Sequence, residues 1–569
     1  MGGRALHNVL VVSLLVGLTS WASAQSFRVQ CPTSTITHPD PSNSGLNNSE
    51  SAYTGATTLS PGANGYLTPT AHVNGAIKCQ QISGGDGYAT MGDGTQTYMF
   101  SFGPLSGLSD IAKGMPGTEF PSVFNTVFNP GAGSGFTSTA PAALFYSGSG
   151  PLAPGDPATT DAASNDGVTP GTASTLSLFT YNGAVGQVPD VFSENIEVNG
   201  NPIDGHVDPR PIMDVGVMNG NIPAPLMAID EDDEFFLTLT NVGMIMRPDL
   251  FEQHTVHFHG YPNASSFYDG VPDASVAINI GGSFTYYYLA PDAGTYFWHC
   301  HITPPEHLQM GMVGQIYVRP RQNRVPPTTT LFAALQAQQL DPRTACNPGA
   351  DILCTNPLPA VNSGVSGGGK YAYNDGDGST AYDVEYPIQI HGFDPNFHFV
   401  GMTFNPEGFA DMKDKYFLLN GRSYPDTVTP GPLATASADG QMHFSQPLPS
   451  IINIPAGGKA LLRISDLDVT EYQTLASLGI PMHVVGYNAK LLRDQEGNNL
   501  YYNTNSITLA GGESLDVILD ASDAGCGFAG CAAALYKPGS VFYLYTPNLD
   551  HLSNDAENFG GLMTEVHIN

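Results

Sequence analysis

The sequence predicts an all-β protein built from Greek-key sandwiches, and three observations carry that prediction. Short runs rich in β-branched and aromatic residues recur along the chain: QTYMFSF from Gln96, FFLTLTN from Phe235, SFTYYYL from Ser283, GTYFWHC from Gly294, KYFLLNG from Lys415, ALLRISD from Ala460 and SLDVILD from Ser514. Turn-forming residues separate them, with 65 Gly and 45 Pro in 569 residues. Residues 25–95 show no helical apolar period, and the helix that is read lies at Thr330 to Leu340. Regularly spaced short strands divided by turns are the signature of sandwiches, because one face of each strand must be buried against a second sheet.

Charge narrows the function. The formal net charge is -32, from 19 Lys and Arg against 51 Asp and Glu. A phosphate backbone is bound through clustered Lys and Arg, so no nucleic-acid partner is expected. Arg4, the apolar run Val9 to Leu18 and Ala22-Ser23-Ala24 before Gln25 read as a signal peptide over residues 1–24. Export to the periplasm or the extracellular space follows, without a membrane span. Seven cysteines agree with an oxidising compartment, and the local pairs 31–79, 346–354 and 526–531 are the economical assignment. Cys300 is left over.

The segments fall in order. Residues 25–205 form an N-terminal extension with one strand (Gln96 to Phe102) and a Gly/Ser/Pro-rich insertion. Residues 206–320 carry the first cluster of strands and 321–380 are a linker with the single helix. Residues 381–569 form a second domain of related pattern. In that copy Gly479 to Gly486 is matched to His254 to Gly260, and Val541 to Tyr543 to Tyr296 to Trp298. Leu544, Tyr545 and Thr546 then replace His299, Cys300 and His301.

Chemistry concentrates in two motifs, His254-x-x-His257-x-His259-Gly260 and His299-Cys300-His301, the second followed by His307 and Met312. A thiolate, two imidazoles and a weak axial thioether suit a copper that alternates between Cu(I) and Cu(II). His254, Cys300, His307 and Met312 supply that set. Side chains alternate across a strand, so Cys300 faces one way while His299 and His301 face the other. His257 and His259 share one face, and His254 takes the opposite one. Two sites are therefore expected, joined by the Cys300 backbone.

At these residues the sequence resembles the multicopper oxidases. Asn219-Gly220-Asn221-Ile222-Pro223, His257-Phe258-His259-Gly260, Asp269-Gly270-Val271-Pro272, His299-Cys300-His301 and Gly311-Met312 all resemble segments of that family. The resemblance implies two cupredoxin-like domains, the second with degenerate copper motifs. It also implies a type 1 copper on His254, Cys300, His307 and Met312. His257, His259, His299 and His301 would form half of a type 2/3 cluster that reduces dioxygen, with electrons passing through Cys300. The implied activity is a laccase-like oxidation of a phenolic or metal-ion donor. His307 follows Cys300 by seven residues, two more than the family pattern. The cluster also needs more histidines than these four. His391, His398, His483 and His551 in the second half, a second subunit of a homo-oligomer, or a reduced cluster are the three ways to meet that. A copper nitrite-reductase-like enzyme and a non-catalytic blue-copper carrier are the competing readings.

Overall fold

In the computed structural model the described residues are 29–39, 47–63, 65–124, 219–244, 247, 250–260, 265–290, 292–341, 356–400, 408–436 and 442–569, with short strand pieces between 180 and 202. The expected signal peptide and the Cys346–Cys354 pair lie outside them. The fold is mostly β, as expected. The first sandwich uses eight strands: β1 (Ile77–Thr90), β2 (Gln96–Pro104), β3 (Met227–Asp230), β4 (Glu234–Gly243), β5 (His257–Phe258), β6 (Ser283–Leu289), β7 (Gly294–His299) and β8 (Val313–Arg319). One sheet runs β6-β4-β1-β2 and the facing sheet β5-β7-β8-β3.

The sequence boundary at 206 divides the first of these sheets. β1 and β2 were assigned above to the N-terminal extension, yet β1 pairs directly and in parallel with β4 from Glu234↔Ile77 onward, and β2 pairs antiparallel with β1. The physical reason lies in β4, which is buried on both faces. Phe235, Leu237 and Leu239 enter the core between the sheets. Phe236 packs on the outer side against Val29, Cys31, Ile77, Cys79 and Phe124. That outer cluster is closed by the Cys31–Cys79 disulfide. An expanse of this kind needs a neighbour on each side, and only residues N-terminal to the insertion provide it.

The second sandwich is built the same way. A seven-stranded sheet contains β9 (Val384–Phe393), β10 (Tyr416–Leu419), β12 (Lys459–Asp466), β14 (Met482–Tyr487), β15 (Lys490–Leu491), β16 (Tyr502–Thr504) and β18 (Ser514–Asp520). The five-stranded sheet facing it contains β11 (Ile452–Ile454), β13 (Gln473–Leu478), β17 (Ser506–Leu509), β19 (Val541–Tyr545) and β20 (Met563–Ile568). Ile388, Leu462, Ile464, Met482, Val484, Val517 and Leu544 fill its core. The expected helix is present as Leu331–Gln339, capped by Thr330, whose hydroxyl accepts from the Ala333 amide at 3.3 Å. The Cys526–Cys531 disulfide is formed, and Cys300 is the free cysteine among the described residues.

Register corrects one internal match. β7 pairs with β5 through His257↔His299, and in the second sandwich β19 pairs with β13 through Ser477↔Leu544. The counterpart of the first histidine motif is therefore 473–479, with Ser477 standing where His257 does. Gly479 to Gly486 misled because its glycines flank a Met-His pair, yet β14 lies in the opposite sheet beside β18.

The two sandwiches meet across β7. Its alternate residues Tyr296, Trp298 and the following Cys300 enter the first core. Thr295 and Phe297 face the other way, Thr295 donating to Asp516 at 2.6 Å and Phe297 packing with Leu308, Val313 and Leu467. Buried Arg463 lies in the same seam, 3.0 Å from Glu385 and 3.5 Å from Asp516, and Arg319 reaches Glu385 at 2.7 Å.

Candidate metal centres

The strand that joins the sandwiches also divides the candidate ligands. Cys300 continues the core-facing side of β7 and is fully buried, together with His254, His307 and Met312. Ligand atoms of His254, Cys300 and His307 lie within 4.8 Å of one another. His307 stands on α1 (Pro304–Gln309), a single helical turn that brings its Nδ1 to 3.4 Å from Cys300 Sγ. Its Nε2 points outward to the Glu252 carboxylate at 3.9 Å. The loop closes where the Met312 amide donates to the His307 carbonyl at 2.9 Å, and the Cys300 amide donates to the Met312 carbonyl at 3.0 Å. The added Pro304-Pro305 length is thus absorbed by the helical turn.

Residues on the opposite side of β7 form the second group. Ligand atoms of His257, His259 and His299 again lie within 4.8 Å of one another. His301 joins them, its ring 5.2 Å from His257 and 5.5 Å from His299, centroid to centroid. His257 Nδ1 donates to the Asp269 carbonyl at 2.7 Å, and His299 Nδ1 to the Cys300 carbonyl at 2.7 Å. Both bonds fix the tautomer and turn an Nε2 lone pair toward the cluster. His259 and His299 line a cleft of about 370 Å³ whose far wall is Asp468 to Tyr472 and Ala510 to Gly512 of the second sandwich.

The donor chemistry fits copper. His254 Nδ1 and Nε2 are both buried without a hydrogen-bond partner, an arrangement that is costly unless a cation is bound. Burial pushes His307 and His299 down to about 3 and, with His257 and His301 beside it, His259 down to about 4. Their imidazoles are therefore neutral and keep a lone pair for a metal. Burial raises the Cys300 thiol to about 11, against the pull of the Thr255 amide, which donates to Sγ at 3.4 Å. A nearby cation is what would favour the thiolate that a copper site requires.

The four second-half histidines do not join either group. His391 and His398 bond to Gln309, His483 pairs with Asn503 on the surface at 2.8 Å, and His551 sits between Gln473 and Glu471 at 2.8 Å each. Sequence reasoning passed over Thr255, whose amide meets Cys300 and whose hydroxyl accepts from the His301 amide at 2.9 Å. Its place between His254 and His257 was the available signal. Glu252 and the 468–472 and 510–512 walls gave none, since only folding brings them near.

Gly270 controls the second group through the backbone. Its φ is +79°, and a Cβ there would lie 1.9 Å from the Val256 carbonyl oxygen. Gly270→Ala is expected to cost about 1–3 kcal/mol in backbone strain alone. It should also displace Asp269 from His257. Metal analysis should find copper reduced at the histidine group with the Cys300 site still coloured.

The sequence profile of the multicopper oxidase family matches residues 204–323. The matched segment holds His254, His257, His259, His299, Cys300, His301, His307 and Met312. A laccase of Aspergillus fumigatus is 34% identical over 112 residues, covering 19% of this chain and 18% of that protein. A multicopper oxidase of Talaromyces pinophilus is 31% identical over 137 residues, covering 24% of this chain and 21% of that protein. The chain thus spans about a fifth of the length of these relatives. Among solved structures, a blue copper oxidase from Nitrosomonas europaea aligns over 62% of this chain and 78% of its own, with 21% identity and a TM-score of 0.39. Among the described residues no helix is long and apolar enough to cross a membrane.

Proposed function

We propose that this chain is an exported copper oxidase coupling one-electron oxidation of a phenolic or metal-ion donor to reduction of dioxygen to water. The observation that supports it most is the sharing of one strand by two donor sets, with Cys300 in one and its neighbour His299 in the other. His254, Cys300, His307 and Met312 are assigned to a type 1 copper. His257, His259, His299 and His301 are assigned to one part of a type 2/3 cluster, completed by another copy of this chain in a homo-oligomer. Bound copper would supply reversible one-electron chemistry between Cu(I) and Cu(II).

The chain's own residues bind and orient. His307 is fully buried with its Nε2 turned toward the partly exposed Glu252 carboxylate, and a donor would dock over that side of the site. The Thr255 amide would stabilise negative charge on sulfur. The His299 hydrogen bond to the Cys300 carbonyl adds a second connection between the groups beside the peptide itself. The cleft at His259 is open to small molecules such as dioxygen. Asp269, whose carboxylate is 3.6 Å from His257 Nδ1, is placed to hand on protons there.

Copper counting with electron paramagnetic resonance and oxygen uptake on the purified protein tests the reading. More than one copper per chain, a type 1 signal, and dioxygen consumed to water are expected. A single type 1 copper with no oxygen uptake would refute it.

A further inference from the structure

His391 and His398, offered above as cluster ligands, converge instead on one glutamine. His391 Nε2 donates to the Gln309 backbone carbonyl at 3.2 Å, and His398 Nε2 donates to Gln309 Oε1 at 3.0 Å. The Asp394 amide donates to the same Oε1 at 3.1 Å, and Gln309 Nε2 donates to the Asp414 carboxylate. All four partners belong to the second sandwich. Gln309, His391, Asp394 and His398 are each at most 5% exposed, so these bonds form away from water. His398 is itself held by stacking on Phe393, with ring centroids 5.2 Å apart and planes 6° apart.

Gln309 lies between His307 and Met312, at the end of α1. The loop it belongs to is pinned on its other side as well: at Gly311 (φ +99°) a Cβ would lie 2.6 Å from Ser101 Oγ. A peptide segment fixed at both flanks cannot move one ligand without moving the other. Interface packing alone would not require every polar atom of one buried side chain to be met by the neighbouring domain.

We propose that the second sandwich sets the geometry of the type 1 copper site by clamping Gln309, with His391 and His398 as positioning residues and not as metal ligands. The inference rests on the type 1 assignment made under the proposed function. A buried amide with a carboxylate on its Nε2 and two donors on its Oε1 has one orientation, so the His307–Met312 loop inherits a single conformation. Outer-shell partners of this kind are worth roughly 10–100-fold in metal affinity.

Three substitutions in the full-length copper-loaded protein test the clamp. Gln309→Met keeps the length of the side chain and removes its hydrogen bonds. His398→Phe removes one donor, and His398→Gln retains it. The first two are expected to shift the blue absorption maximum and the copper hyperfine splitting, and to release copper to a chelator roughly 10–100-fold faster. Copper stoichiometry before chelation should be unchanged, and His398→Gln should behave like the parent. Should Gln309→Met not fold, the contrast between the two His398 variants decides. Spectra and release rates indistinguishable from the parent in His398→Phe overturn the clamp. A parent protein without a blue band overturns the type 1 assignment instead, so the two failures are distinct.

Discussion

Cys300→Ser is expected to abolish the blue absorption and the oxygen uptake of the proposed oxidase together, while the chain still folds. The sulfur is fully buried, lies 3.4 Å from His307 Nδ1 and is the free thiol among the described residues. A serine hydroxyl is a hard donor that does not ionise near neutral pH and cannot reproduce a copper–thiolate bond. It can still accept from the Thr255 amide. Leaving its own proton without a partner costs about 1–3 kcal/mol, too little to unfold a chain with two full cores. Visible and circular dichroism spectra of the variant check both halves of the expectation. A retained blue band would show that the colour, and the electron path built on it, belongs elsewhere.

Arg463→Ala is expected to lower stability by about 3–5 kcal/mol, because it leaves the buried Asp516 carboxylate without its cation and Glu385 with Arg319 alone of its two. The guanidinium is fully buried between Glu385 and Asp516, on the seam that supports β7. Burial by itself would raise the Glu385 carboxyl, but Arg463 and Arg319 outweigh it and draw it down to about 2 from an ordinary 4.5. A carboxyl lowered on folding contributes stability that is present above its unfolded pKa and lost as pH falls through the folded one. For Glu385 that contribution is on the order of 3 kcal/mol at neutral pH and disappears between about pH 4.5 and 2. Denaturant melts of parent and variant at pH 7 and pH 3 check this. The gap between them should narrow at the lower pH, and an equal gap at both would contradict the role given to Arg463.

How much of this was legible beforehand follows from the range of the forces involved. Strand alternation is a local property, so the split of His254 and Cys300 from His257, His259 and His299 could be read from spacing, whereas His307 entered through donor chemistry and the family resemblance. The strands themselves were visible for the same reason, including Gly294–His299 and Ser514–Asp520. Sheet order is non-local. Nothing in Ile77 to Thr90 announces that it lies beside Glu234 to Gly243, and a Gly-rich insertion between them looked like a domain boundary. The second copy misled in the same way, because Met482-His483 resembles a ligand pair more closely than the true counterpart Ser477 does. His391 and His398 were visible as residues but not as partners of Gln309, which lies more than 80 positions away from each.

The sheet order β6-β4-β1-β2 bears on what counts as a self-sufficient piece of this protein. The region that carries the family profile, 204–323, holds all the candidate ligands but only half of one of its two sheets. Expressed alone it would present the unpaired edge of Glu234 to Gly243, an invitation to aggregate. The unit that carries the candidate ligands is thus encoded discontinuously, and truncation experiments that begin at residue 204 should yield insoluble material even though no candidate ligand has been removed.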